Sequence, residues 1–164
     1  AAEDQGFPRH WGFDIDQILA AVEDHLDGQP LRGASTISQQ VARNLFLWQG
    51  RSFLRKGLEV WFTGLVEMLW GKRRILEMYL NFAEMGPRTF GVGAASGRFF
   101  SRPPSELGRR RSALLAAVLP NPILLRADAP SAHVRERRDW IMRQMRNLGG
   151  DAHLQSILQP AHPD

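Results

Sequence analysis

A chain of 164 residues is long enough to bury one hydrophobic core, and 43% apolar with 23% charged residues excludes an intrinsically disordered chain. The absence of cysteine excludes a disulfide framework and a thiolate metal site. The formal charge of +4 is carried almost wholly by arginine, Lys56 and Lys72 being the only lysines, and suits an anionic partner: nucleic acid, an acidic membrane surface or a phosphorylated substrate.

The hydrophobic pattern is helical nearly throughout. Ile15, Ile18, Leu19, Val22 and Leu26 repeat at helical spacing behind Asp14 as a cap, and Gly28 stops the run. Thr36-x-x-Gln39 reads as a capping box opening a second helix, with Ile37, Val41 and Leu45 on its buried side. Trp48-Gln49-Gly50 breaks that helix. A long helix is expected over about 52–70 and another over 72–81. Gly86-Pro87 marks a loop, 91–100 a short helix rich in small residues, and 101–104 a second loop. A helix ending in 113–119 stops at Pro120-Asn121-Pro122, because proline cannot continue it. Pro130-Ser131 starts a long arginine-rich helix that closes at Gly149-Gly150. Alternation of the strand type is nearly absent and no repeat is present, so the expected fold is a single all-α domain over 1–164. No stretch reaches the roughly 18 apolar residues that span a bilayer. The chain opens on Ala1 without a signal-peptide pattern and is expected to be a segment of a longer protein.

Three local patterns carry chemistry. Glu3 and Asp4 precede Phe7, His10 and Gly12 in a segment whose glycine and proline imply a loop, where a carboxylate can serve as a general base or simply be solvated. Ser35 and Thr36 lead into a helix N-terminus whose free backbone donors suit an anion or a sugar hydroxyl. Gln39, Gln40 and Arg43 follow on the face away from Ile37, Val41 and Leu45. The plainer reading is a well-capped amphipathic helix. Arg55 and Lys56 sit one turn before Glu59, so the three side chains are neighbours, and Val60, Trp61 and Phe62 directly after imply partial burial of the carboxylate. The five histidines, at 10, 25, 133, 153 and 162, show no metal-ligand spacing. There is no phosphate-binding loop, nucleophile elbow or dinucleotide fingerprint. The run Arg109-Arg110-Arg111 reads as the solvated start of a helix, with no nucleic-acid motif beside it. Leu45, Phe46, Leu47, Trp48, Phe53 and Leu54 are apolar on more than one face, which fits either a core or a surface that meets a bilayer.

Taken in order, these segments resemble glycosyltransferase family 51, which holds the monofunctional peptidoglycan transglycosylases and the polymerase domains of class A penicillin-binding proteins. The pattern E-D-x-x-F-x-x-H-x-G matches 3–12, G-x-S-T-I-x-Q-Q matches 33–40, R-K-x-x-E matches 55–59 and K-x-x-I-L-E-x-Y-L-N matches 72–81. A final element matches 113–122. The chain ends about forty residues after Pro122 with no transpeptidase segment, which is similar to the monofunctional form.

The resemblance implies a lysozyme-like helical domain with a small membrane-facing jaw, the upstream helix and membrane anchor lying outside this chain. It implies a transferase that joins the 4-hydroxyl of an acceptor lipid II to the anomeric carbon of the growing glycan with inversion, releasing undecaprenyl pyrophosphate. In that reading Glu3 is the general base and Glu59 a second essential acid among Arg55 and Lys56 near the pyrophosphate. Ser35, Thr36, Gln39, Gln40 and Arg43 line the donor side, and Asp4, Phe7 and His10 support the Glu3 loop. Both acids are expected to face one groove with the cations between them. No cofactor is required, though a divalent cation such as magnesium has a place at the pyrophosphate. The implied partners are lipid II, the nascent strand, the periplasmic face of the bacterial inner membrane, and cell-wall synthesis and division proteins, with no nucleic acid. Arg43 departs from the family, which usually carries lysine there; the charge survives, but a planar fork replaces a point ammonium. The nearest rival is a peptidoglycan-cleaving lysozyme or lytic transglycosylase, which has no need of a pyrophosphate cradle. A non-catalytic membrane scaffold is the rival from another class.

Overall fold

The computed structural model describes residues 1–29, 35–48, 50 and 52–158. Of the second motif, Gly33 and Ala34 lie outside the described residues, as does Gln49 of the expected helix break. The described chain is predominantly helical. In chain order it forms α1 (Ile15–Leu26), α2 (Ile37–Phe46), α3 (Phe53–Leu69), α4 (Lys72–Phe82), β1 (Glu84–Gly86), β2 (Thr89–Phe90), α5 (Gly91–Phe100), a 3-10 turn (Pro104–Glu106), α6 (Arg109–Val118), α7 (Ala132–Asn147) and α8 (Asp151–Leu158).

The helix starts follow capping chemistry. Asp14 caps α1 by accepting from Gln17 N, Ser52 caps α3 by accepting from Arg55 N, and Ser131 caps α7 by accepting from Val134 N. Thr36 and Gln39 form the full capping box of α2: Thr36 Oγ1 accepts from Gln39 N while Gln39 Oε1 accepts from Thr36 N. Helices α2, α3, α4, α6 and α7 share one core, built on Val41, Val66, Ile75, Val118, Val134 and Ile141. Ala113 and Ala117 on α6 are fully covered, and such small side chains let α7 pack closely against that helix.

Two short elements were not expected. The Gly86-Pro87 loop is the tip of an antiparallel hairpin that pairs Glu84 with Phe90 and Gly86 with Thr89 across a bulge. Strands of three and two residues are too short to show a two-residue period. Helix α8 follows the glycine pair that closes α7. Immediately after the hairpin, Gly91 has φ +79°, and a Cβ placed there would lie 2.5 Å from the Asn81 carbonyl oxygen. Gly91→Ala therefore combines a left-handed backbone penalty with a clash against main chain and is expected to cost at least about 2 kcal/mol. The check is a thermal melt, in which the midpoint should drop by about 4 °C or more.

Helix α1 is amphipathic as its spacing implies, yet Ile15, Leu19, Val22 and Leu26 are exposed and only Ala21 is buried. Periodicity identifies an apolar stripe; it does not say what covers it.

Candidate active site

The amino-terminal segment is tied down by groups from three helices. Asp4 is buried and both its oxygens lie 3.0 Å from His10 Nε2, while Oδ2 also accepts from Ile37 N at 3.0 Å. The carboxylate thus sits at the positive end of α2 and takes up a backbone donor with no helical partner. Phe7 is in the core, with the Lys72 ammonium 4.7 Å from its ring centroid. Lys72 Nζ donates to the His10 carbonyl and to Glu67 Oε1, both at 2.6 Å, and Ser38 Oγ donates to the same Glu67 oxygen. Gly12, at φ +77°, passes so close to α3 that a Cβ would lie 2.7 Å from Thr63 Cγ2. Thr36 Oγ1 donates to the Gly12 carbonyl at 2.6 Å. Asp4, the histidine and the glycine of the first motif, the threonine of the second and the lysine of the fourth are therefore one hydrogen-bonded assembly that fixes the loop carrying Glu3.

That assembly occupies part of the N-terminus of α2. Two of its first-turn donors are used within the protein: Ile37 N is taken by Asp4 and Gln39 N by Thr36 Oγ1. Thr36 and Gln39, expected on the donor side, are buried in the cap, where the Thr36 hydroxyl and the Gln39 amide oxygen are paired to the protein itself. Asp4, Phe7 and His10 hold the loop and are likewise covered by protein, His10 less completely than the other two. Ser35 is half-buried just ahead of the cap. A capping box and a sugar-binding hydroxyl pair look alike in sequence, and here the helix end consumes the polar groups.

Arg55, Lys56 and Glu59 meet on α3 as their spacing requires. The Glu59 side chain is 1% exposed; Lys56 Nζ lies 2.5 Å from Oε1 and Arg55 Nη1 3.5 Å from Oε2. Lys56 reaches half into solvent, whereas Arg55 is largely covered and its Nε has no hydrogen-bond partner among the described residues. A guanidinium that lines a cleft and is fixed from behind by a buried carboxylate is suited to a second anion arriving from the open side.

That open side is a cleft of about 640 Å³, whose lining includes Gln40 and Arg43 from α2, Arg55 from α3, Tyr79 from α4 and Glu84 and Phe90 from the hairpin. Gln40, Arg43 and Arg55 of the expected set line it directly; Glu59 stands behind Arg55. Glu3 rims an adjoining, mainly apolar cavity of about 380 Å³, and Tyr79 is a wall of both cavities. Glu3 Oε1 is 3.3 Å from Arg137 Nη2 on α7. Tyr79 and Arg137 were not singled out from the sequence. Tyr79 was read only as one letter of a motif, and Arg137 lies 134 residues from Glu3 in a helix full of arginines.

Two further surfaces bear on ligands. Among the described residues, Asp4, His10 and Asp14 are the acid and histidine groups close enough to share an ion. Their oxygens already accept from Ile37 N, His10, Gln17 N and Gln17 Nε2, so hydrogen bonds account for the grouping. Glu84, whose Oε1 accepts from Arg88 N, is the carboxylate of the cleft lining and would be the residue to hold a divalent cation there, which would supply charge to balance phosphate oxygens. Of the six apolar residues at 45–54, Phe46, Trp48, Phe53 and Leu54 are exposed, Phe53 at 99%, while Leu45 and Leu47 are half-buried. Trp61 and Leu69, further along α3, are exposed as well. No helix among the described residues is long and apolar enough to cross a membrane.

A family model described as transglycosylase matches residues 1–146. The biosynthetic peptidoglycan transglycosylase of Pectobacterium carotovorum subsp. carotovorum (strain PC1) is 59% identical over 157 residues, covering 95% of this chain and 64% of that protein. The protein of the same description from Klebsiella oxytoca is 57% identical over 157 residues, covering 95% and 65%. That from Cronobacter sakazakii is 58% identical over 151 residues, covering 92% and 63%. The chain thus spans just under two thirds of the length of the curated relatives it matches.

Proposed function

The chain belongs to the transglycosylase family, and from that premise we propose that it polymerises lipid II into glycan strands, inverting the anomeric centre and releasing undecaprenyl pyrophosphate. The observation that carries this reading is the cleft lined by both Arg43 and Arg55, with Arg55 backed by the buried Glu59. A glycosyl pyrophosphate is already activated, so the protein's task is to hold the anion and deprotonate the acceptor.

In the proposed step the acceptor 4-hydroxyl oxygen forms a bond to the anomeric carbon as the bond from that carbon to the pyrophosphate oxygen breaks. The hydroxyl proton passes to the Glu3 carboxylate. The electron pair of the broken bond leaves on the pyrophosphate, whose growing charge is met by Arg43 and Arg55. Attack opposite to departure inverts the centre. Arg137 orients Glu3, Lys56 shares the Glu59 charge, and Gln40 offers an amide to the donor. The exposed Phe46, Trp48, Phe53 and Leu54 favour docking of this face on the periplasmic side of the inner membrane, since contiguous exposed apolar surface is retained where a membrane or partner covers it. Cell-wall synthesis and division proteins are the partners that this activity implies.

Offering lipid II and intact sacculi in parallel tests the reading. Polymer from the first with nothing solubilised from the second is expected; soluble fragments and no polymer would assign the chain to cleavage instead. Within the same assay Arg43→Ala is expected to lower turnover by about ten- to a hundredfold, the loss of one charge-assisted contact of about 1.5–3 kcal/mol. Near-normal turnover would remove Arg43 from the cradle.

A further inference from the structure

Tyr79 is 5% exposed on α4, and its hydroxyl has no hydrogen-bond partner among the described residues. A buried phenolic oxygen without a partner is unfavourable, and a phenylalanine would fill the same space without that penalty. The position is also particular. Tyr79 lines the cleft together with Arg43 and Arg55, and it lines the adjoining cavity that Glu3 rims. Tyr79 therefore stands between the cationic side and the carboxylate side of the site, its hydroxyl buried there. Burial first, and then the negative charge of Glu3, push its pKa well above the ordinary phenol value, with Arg43 opposing, so it stays protonated and acts as a donor.

We propose that the Tyr79 hydroxyl is a substrate-binding donor that gives its hydrogen bond to an oxygen of the pyrophosphate linking sugar and lipid. The inference deepens the glycosyltransferase reading and rests on it for the identity of the ligand. A neutral donor beside two cations adds direction to a site that charge alone would leave loosely specified. It holds the linkage with the anomeric carbon turned toward Glu3.

The test is Tyr79→Phe, read in three ways: thermal midpoint, kcat/KM for lipid II, and the Kd of inorganic pyrophosphate by calorimetry. The expected result is an unchanged or higher midpoint, with kcat/KM lowered and Kd raised about tenfold each, the loss of one hydrogen bond to a charged oxygen. Unchanged kcat/KM and unchanged pyrophosphate affinity would overturn the proposal. A midpoint that falls together with activity would overturn it too, by assigning the hydroxyl a structural partner. If the unaltered protein binds pyrophosphate in a Tyr79-dependent way but makes no polymer, the polymerase reading fails while the assignment of the hydroxyl stands.

Discussion

Glu3→Gln is expected to reduce lipid II polymerisation by about a hundred- to ten-thousandfold, the range over which a positioned general base contributes. The amide keeps the shape of the side chain and its contact to Arg137 but cannot accept the acceptor's proton. Folding should be little affected, because Glu3 sits on the rim of a cavity and the anchoring of its loop falls to Asp4, Phe7, Gly12 and Lys72. Initial polymerisation rates and thermal midpoints measured together separate the two effects. Activity retained within a few fold would move the base elsewhere and favour the non-catalytic scaffold.

Glu59→Gln is expected to damage both stability and activity. The carboxylate is almost wholly buried and balances Arg55 and Lys56. Neutralising it leaves the guanidinium, itself largely covered, without its counter-charge, whereas Lys56 can turn to water. Breaking a buried pair in this way costs about 3 kcal/mol, at the low end of the usual range because Lys56 is half exposed. The thermal midpoint should fall by about 6–12 °C. Turnover should fall at least about tenfold even below the new midpoint, since Arg55 loses the group that fixes it toward the cleft. A midpoint equal to that of the unaltered protein would show that the buried charge is balanced elsewhere.

What could be read in advance was local. The Thr36–Gln39 capping box and the Arg55, Lys56, Glu59 triplet depend on spacings of three and four residues, and helical geometry then settles who meets whom. The contacts that assemble the site are long-range. Asp4 reaches the backbone of Ile37 and Arg137 reaches Glu3, and neither pairing leaves a periodic signal. The same limit applies to Thr36 and Gln39: composition shows hydroxyls and amides at a helix start, while only packing shows that Gly12 accepts from the Thr36 hydroxyl and that the Gln39 amide oxygen turns back on the cap. Helix α1 gives the converse case, its apolar stripe legible and its exposure not. Tyr79 stood in a recognised motif, but its importance comes from a buried hydroxyl with no partner among the described residues, in a side chain that walls two cavities, which no linear pattern encodes.

The central claim is that the arginine-lined cleft receives a leaving pyrophosphate while Glu3 frees the acceptor hydroxyl. The most direct measurement counts both products of that single displacement: glycosidic bonds formed and undecaprenyl pyrophosphate released from lipid II. Equal amounts, rising together and lost together in Glu3→Gln, are the predicted result. Lipid pyrophosphate released without new bonds, or no lipid product at all, would contradict the account.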